Sequence, residues 1–149
     1  MYSIDKPFDN QKKVKEFCEI CMKETFISVD TEFLRTNTYF PKLCLVQIAN
    51  SNSAIIIDAL AVKNLKSLEE LLSCKDVIKV FHSPRQDIEI FYNLFKKLPK
   101  NIFDTQIAAS FLGENEQISY EKLIEKYLNI KINKSHQFCN WAKRPLNYS

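Results

Sequence analysis

The stretch FISVDTEFLR, residues 26–35, starts as an apolar run and then places two acids, Asp30 and Glu32, on either side of one threonine. On a strand, side chains at i and i+2 share a face, so the two carboxylates project together. Two like charges this close raise each other's pKa and lose hydration unless a cation lies between them. Their hard oxygen atoms suit Mg²⁺ or Mn²⁺. This stretch alone leaves a second interpretation open, in which the strand ends at Asp30 and both acids are solvated in a loop.

The composition predicts one compact domain. Of the 149 residues, 46% are hydrophobic and 26% charged, and the net charge of +3 permits a polyanionic partner without requiring one. The five cysteines are an odd number in largely apolar contexts, which argues against a disulfide framework and favours a reducing, cytoplasmic location. No apolar run approaches the roughly 18 residues of a membrane span, and the first ten residues contain no signal-peptide core, so a soluble, unprocessed chain is expected.

Cys18 and Cys21 form a C-x-x-C pattern that could indicate zinc or redox chemistry. They lie in QKKVKEFCEICMKE, where apolar residues recur at helical spacing, and no second Cys/His pair with zinc-type spacing follows. Core packing of both thiols is therefore the preferred interpretation.

The elements around the acidic stretch predict a mixed α/β sheet. A helix over about residues 9–24 precedes three strand-like runs, FISVDTE, KLCLVQIAN and AIIIDAL, whose short joints favour antiparallel pairing. The later chain alternates, with helices predicted in NLKSLEELLS, PRQDIEIFYNLFKKL, QIAASFLG and YEKLIEKYL, and short strands in VIKVFH and NIFDT. Helices should pack on this sheet, and Gly113 should end a helix.

A third acid follows the strand VIKVFH. Asp87 lies in the first turns of the next helix, and open α/β sheets gather functional groups at strand ends, so it is expected to join Asp30 and Glu32 in one cleft. Glu89 points about 200° away from Asp87, and an apolar stripe of Ile88, Phe91, Leu94 and Phe95 marks the buried side. We therefore prefer Asp87.

Four segments in the same order resemble the exonuclease motifs of the ribonuclease D family: VDTEFLRTNTYFPKLCLVQIA (29–49), FHSPRQDIEIF (81–91), FDTQIAASFLG (103–113) and SHQFCNWAKRPL (135–146). The resemblance implies a ribonuclease H-like fold, with three antiparallel strands followed by parallel strands and helices on both faces. It also implies membership of the DEDD superfamily of 3′-to-5′ exonucleases, which hydrolyse RNA 3′ ends with two Mg²⁺ or Mn²⁺ ions.

By position, the resemblance assigns Asp30, Glu32 and Asp87 as catalytic residues and metal ligands, with Asp30 bridging both ions. Two such ions would activate a water and relieve the charge that grows on the phosphate and on the leaving oxygen. Thr31, Phe33 and His82 are the candidate contacts to the single-stranded substrate. For His82, a strand-end histidine bonded to backbone is an equally weighted alternative.

The family carries a further motif, Y-x-x-x-D, just beyond R-P-L, and this sequence stops at RPLNYS. We expect residues 1–149 to form a single exonuclease domain that is incomplete at its C-terminus, with one ion site incomplete and without the helical HRDC-type domains of the family. A truncated chain, a split gene and a decaying gene all remain open, and a complementing C-terminal fragment is a candidate partner. Asp58 and Asp104 follow apolar strands and precede predicted helices, so both are interpreted as helix caps.

Two basic clusters are candidates for holding the RNA backbone, and solvated basic surface is their alternative. The first is LFKKLPK with Lys96, Lys97 and Lys100. The second combines positive and aromatic side chains near the C-terminus: Lys131, Lys134, His136, Phe138, Trp141, Lys143 and Arg144. Two functions remain, a metal-dependent 3′-to-5′ exoribonuclease or an inactive member of the fold that binds RNA or a complementing chain.

Overall fold

The computed structural model describes residues 6–35, 39–132 and 140–146 of the chain. Within them the strands are β1 (Phe26–Leu34), β2 (Lys42–Ala49), β3 (Ala54–Asp58), β4 (Ile78–Phe81) and β5 (Ile102–Asp104). The helices are α1 (Gln11–Cys21), α2 (Lys66–Ser73), α3 (Arg85–Phe95), α4 (Thr105–Phe111) and α5 (Tyr120–Leu128). Every helix and strand predicted from the sequence is present, with bounds that differ by a few residues.

The strands form one mixed sheet in the order β3-β2-β1-β4-β5. β1 pairs antiparallel with β2, and β2 with β3, whereas β4 pairs parallel with both β1 and β5. The prediction of three antiparallel strands followed by parallel strands is confirmed. The acidic strand β1 lies at the centre of the sheet, between β2 and β4.

The hydrophobic core lies on one face of the sheet. Alternation along β1 sends Ile27 and Val29 to this face, where they meet apolar residues of α1 and α2. α3 adds Phe91 to the same core, but Leu94, which was predicted to be buried, is 48% exposed. The buried face of α3 is instead formed by Asp87, Ile90 and Phe91; Ile90 and Phe91 follow Asp87 by three and four residues and so lie on the same side of the helix.

The two cysteines of the C-x-x-C pattern belong to this core. Cys18 and Cys21 are fully buried on α1 and are not joined by a disulfide. Burial is the largest cause that raises the pKa of each thiol to about 12. The core-packing interpretation is confirmed, because thiols this hard to ionise are poor nucleophiles and metal ligands.

β1 extends beyond its neighbour β4, and this difference creates the space for the site. β4 pairs only with residues 26–28 of β1, and the last residues of β1 continue past the end of β4. α3 starts at Arg85 after a short turn, in which Ser83 has a positive φ of 54° and donates its amide hydrogen to Asp104 Oδ1 at 2.9 Å. The first turns of α3 are thereby held beside the free edge of β1.

Asp104 caps a helix as predicted, whereas Asp58 does not. Asp104 is the N-cap of α4 and accepts from the Gln106 amide at 2.8 Å. The Asp58 carboxylate accepts from the amides of Leu60 and Ala61 in a turn, several residues before α2 begins. The prediction for Asp58 is therefore wrong, because the chain makes an Asx-type turn here before it enters the helix.

Asp58 has a second partner, which comes from the C-terminal segment. Arg144 donates from Nε and Nη2 to the two oxygens of the Asp58 carboxylate, both at 2.7 Å. Burial raises the pKa of Asp58, but these bonds from Arg144 and the turn amides outweigh it, and the net pKa is lowered. The pair anchors residues 140–146 at the end of β3.

One lysine lies within the core face. Lys79 on β4 is fully buried, and its Nζ donates to the carbonyl oxygens of Cys74 and of Val77, the latter at 2.8 Å. Desolvation lowers its pKa.

Within the described residues no helix is both long enough and apolar enough to cross a membrane.

Candidate active site

Asp30 and Glu32 project from β1 on the face of the sheet opposite the core. Asp30 lies across from Gln47 of β2, and Glu32 across from Leu45. Their neighbours on β1 at 29 and 31 are buried, so the alternation predicted from the sequence is present. The continuation of β1 through Leu34 also excludes the alternative in which the strand ends at Asp30.

Asp87 meets β1 through Thr31. The Thr31 hydroxyl donates to Asp87 Oδ1 at 2.5 Å, and both residues are buried, with 6% and 9% of their surface exposed. Burial raises the pKa of both Asp30 and Asp87, and hydrogen bonding from the Thr31 backbone amide offsets part of this rise. Two carboxylates from separate elements therefore reach the same peptide group.

The three acids influence each other's ionisation. Burial is the largest cause of the raised pKa of each, and repulsion from Asp87 raises the pKa of Asp30 further. Glu32 is raised to about 7 by burial and then by the charges of Asp30 and Asp87. Asp30 is exposed on its open side, yet the protein around the rest of its carboxylate still desolvates it. Ionising all three together is unfavourable without a counter-charge.

The chemistry of this donor set fits a hard divalent cation, because it consists of desolvated carboxylates that repel one another. Within residues 6–35, 39–132 and 140–146, no three His, Cys, Asp or Glu side chains are arranged as the ligands of one ion. The acids thus lie close enough to couple electrostatically, while their assignment as metal ligands stays a prediction.

His82 lies next to these acids and is held on both sides of its ring. Nδ1 is 2.9 Å from the Thr105 hydroxyl, and Nε2 is 3.0 Å from the Ile118 carbonyl oxygen. Since a carbonyl only accepts, Nε2 carries the proton in that contact. His82 also acts electrostatically on Asp30, but burial and the charge of Asp87 outweigh this effect and the net pKa of Asp30 is raised. These bonds agree with the strand-end alternative considered for His82, and its contact with substrate, like those of Thr31 and Phe33, stays a prediction.

A groove of about 520 Å³ lies on this face of the sheet beside Asp30. Asp30 and His82 lie at its wall, and Gln47, Ile56 and Tyr120 line other parts. Ring contact between His82 and Tyr120, with centroids 5.6 Å apart, joins the start of α5 to the groove. Asp30 therefore borders this groove, whereas Glu32 and Asp87 are not among its lining residues.

One residue of each basic cluster forms an ion pair in the structure. Lys97 binds Glu69 at 2.6 Å and Arg144 binds Asp58, so each of them has an acidic partner in the structure, and the assignment of the two clusters to RNA stays a prediction. Both acidic partners are far away in the sequence, so no local sequence pattern predicts these two ion pairs. Lys96, Lys100, Lys131 and Lys143 are exposed. Lys134, His136 and Phe138 lie outside the described residues.

A family model described as 3′-5′ exonuclease matches residues 6–148. The chain belongs to the 3′-5′ exonuclease family. The acids on β1 and α3 are therefore acids of an exonuclease domain, and the resemblance to ribonuclease D is confirmed by the relatives that follow.

Ribonuclease D from Sphingobium indicum is 46% identical to this chain over 139 residues, which cover 92% of this chain and 36% of the relative. The crystal structure of Escherichia coli RNase D, described as an exoribonuclease involved in structured RNA processing, matches with a TM-score of 0.92 and 31% identity. That match covers 96% of this chain and 38% of the E. coli chain. Trypanosoma brucei RNase D in complex with RNA U12 matches with a TM-score of 0.82 and 20% identity, over 97% and 56% of the two chains, and shows the shared fold.

The chain spans about a third of the length of the curated relatives it matches. Its ribonuclease D-like exonuclease fold, a mixed sheet surrounded by helices, is established by these matches. The DEDD exonucleases generally use divalent metal ions.

Proposed function

We propose that this chain supplies the acidic site of a ribonuclease D-like 3′-to-5′ exoribonuclease, with Asp30, Glu32 and Asp87 as catalytic residues and ligands of Mg²⁺ or Mn²⁺. The observation that carries the proposal is the coupling of the three carboxylates where β1 extends past β4. Family membership supports the same reaction, and it favours the exonuclease over the inactive alternative.

We assign a separate role in the site to each of these residues. Asp30 and Glu32 present oxygens from one face of a rigid central strand, and Asp87 brings a third carboxylate that Thr31 holds in place. Bound divalent ions would supply an activated water and charge relief at the scissile phosphate. Thr31 therefore acts by positioning Asp87, and His82 adds positive character beside Asp30.

The proposed substrate is the single-stranded 3′ end of an RNA, lying in the groove beside Asp30. Its substrate class rests on the ribonuclease D relatives, one of which is described with bound RNA. Exposed Lys143 and half-buried Trp141 lie on the segment that Arg144 anchors, and we assign them to holding the strand. The free state of the described cysteines supports the proposed cytoplasmic location.

Metal binding can be tested by thermal unfolding. Mn²⁺ at about a hundred times its Kd should add about 2.7 kcal/mol to the stability of the folded state, or about 5–10 °C in Tm for a chain of this size. Asp30→Asn should abolish the rise. Asp76→Asn is the matched control, since Asp76 is exposed before β4 at the end of the sheet opposite the site. A wild-type Tm that is indifferent to millimolar Mn²⁺ would show that the three acids do not form a metal site.

Activity can be tested with RNA labelled at the 5′ end in parallel with RNA labelled at the 3′ end. An exonuclease shortens the first stepwise and releases a labelled mononucleotide from the second. The 149 residues contain no Y-x-x-x-D motif, and loss of one charge-stabilising or positioning group costs about a hundredfold or more in rate. We therefore expect slow laddering that increases when a Y-x-x-x-D segment is supplied in trans as a complementing fragment. Brisk laddering by the chain alone, abolished by Asp30→Asn, would contradict the need for that segment. No cleavage under either condition would favour the inactive alternative.

A further inference from the structure

An exposed ion pair bridges the two elements that carry the acids. Arg35 follows the last residue of β1, three positions after Glu32, and Glu89 lies on α3 two positions after Asp87. Arg35 Nη2 is 3.5 Å from Glu89 Oε1, and the side chains are 45% and 40% exposed. The pair thus joins the end of β1 to α3, a few residues along each element from the acids.

This pair is loose compared with the anchored arginine elsewhere in the chain. Strong guanidinium–carboxylate bonds are about 2.7–2.9 Å long and often bidentate. Arg144 reaches both oxygens of Asp58 at 2.7 Å, whereas the contact between Arg35 and Glu89 is a single, longer one. Exposed pairs of this second kind contribute little to stability, so Arg35 can change partners at low cost.

A positive group close to the acids would favour the approach of RNA. Three coupled carboxylates repel a phosphate backbone, and a guanidinium offers the planar, bidentate geometry that phosphate oxygens accept. In the RNA-free protein, the Glu89 carboxylate occupies this guanidinium and so competes with phosphate.

We propose that Arg35 binds a backbone phosphate of the RNA beside the acidic site, and that Glu89 weakens this binding by holding Arg35 in the free protein. The inference rests on the proposed function, because it takes RNA as the substrate. It assigns Arg35 to substrate contact and Glu89 to tuning affinity. The two members of one ion pair should therefore act on RNA affinity in opposite directions.

The test measures the Kd of a 5′-fluorescein-labelled single-stranded RNA of ten nucleotides by anisotropy, in EDTA to prevent cleavage, at several salt concentrations. Arg35→Gln should weaken binding about 3–10-fold and reduce the slope of log Kd against log salt by about 0.7, the loss of one phosphate contact on a single strand. Glu89→Gln, which keeps the shape and frees Arg35, should tighten binding about 2–5-fold. This tightening should be smaller when Arg35→Gln is also present.

Lys12→Gln and Glu16→Gln are the matched controls, because they form another exposed, loose pair at 3.9 Å on α1, outside the site. Urea unfolding should show that all four single variants are as stable as wild type within error. If Arg35→Gln and Glu89→Gln both weaken binding, the pair is structural and the inference is overturned. It is also overturned if the wild type binds RNA and neither variant changes the Kd. Binding is also measured with Mn²⁺, because the metal-free carboxylates repel RNA; if the wild type binds no RNA with or without Mn²⁺, the proposed function is contradicted together with the inference.

Discussion

Replacing Glu32 with glutamine should change how the stability of the metal-free protein depends on pH. Burial, followed by the charges of Asp30 and Asp87, raises the pKa of Glu32 from 4.5 to about 7. Between these pH values the folded protein keeps a proton that the unfolded chain has lost, so stability falls as the pH rises through this window. Above about pH 7 the loss is complete.

The size of the effect follows from the raised pKa. A rise from 4.5 to about 7 corresponds to at most about 3.4 kcal/mol, at 1.36 kcal/mol for each pH unit. Glu32 is only partly buried and solvent screens its repulsion, so we expect about 1–2 kcal/mol. Glutamine keeps the shape of the side chain and cannot ionise, so this part of the pH dependence should disappear.

The assay is urea unfolding in EDTA at pH 5, 6, 7 and 8, with the m-value checked for each variant. The stability difference between Glu32→Gln and wild type should favour the variant by about 1–2 kcal/mol more at pH 8 than at pH 5. Glu116→Gln is the control, because Glu116 is exposed on the connection between α4 and α5. Parallel curves for wild type and Glu32→Gln across this range would refute the coupling of the three carboxylates.

Two further predictions concern the anchors of the fold. Arg144→Ala should lower the free energy of unfolding by about 1–3 kcal/mol, because it leaves the nearly buried Asp58 carboxylate without its charged partner. A double-mutant cycle with Asp58→Asn measures the coupling of the pair, and a coupling energy below about 0.5 kcal/mol would contradict this prediction. Lys79→Ala should lower the free energy of unfolding in urea by about 2–4 kcal/mol, because it leaves a cavity and removes the hydrogen-bond donor to the carbonyls of Cys74 and Val77. Lys79→Met keeps the volume of the side chain and should recover about half of this loss. An alanine variant as stable as wild type would exclude a structural role for this lysine.

Much of the site could be predicted from local periodicity. The two-residue repeat of a strand places Asp30 and Glu32 on one face, whatever the strand is packed against. The helical repeat likewise separates Asp87 from Glu89, and the structure buries the first and leaves the second partly exposed. Such inferences hold because the direction of a side chain relative to its own element depends on backbone geometry alone.

The partners of these side chains depend on strand order and register, which local patterns do not encode. Asp87 contacts Thr31 where β1 extends past β4. His82 binds the Ile118 carbonyl, which lies in a loop 36 residues further along the chain. Arg144 finds Asp58 across 86 residues, and the sequence pattern assigned the arginine to RNA and the aspartate to a helix cap. Long-range pairs of this kind are decided by which groups the folded sheet brings together, since an arginine looks the same in the sequence whether it ends beside a carboxylate or in solvent.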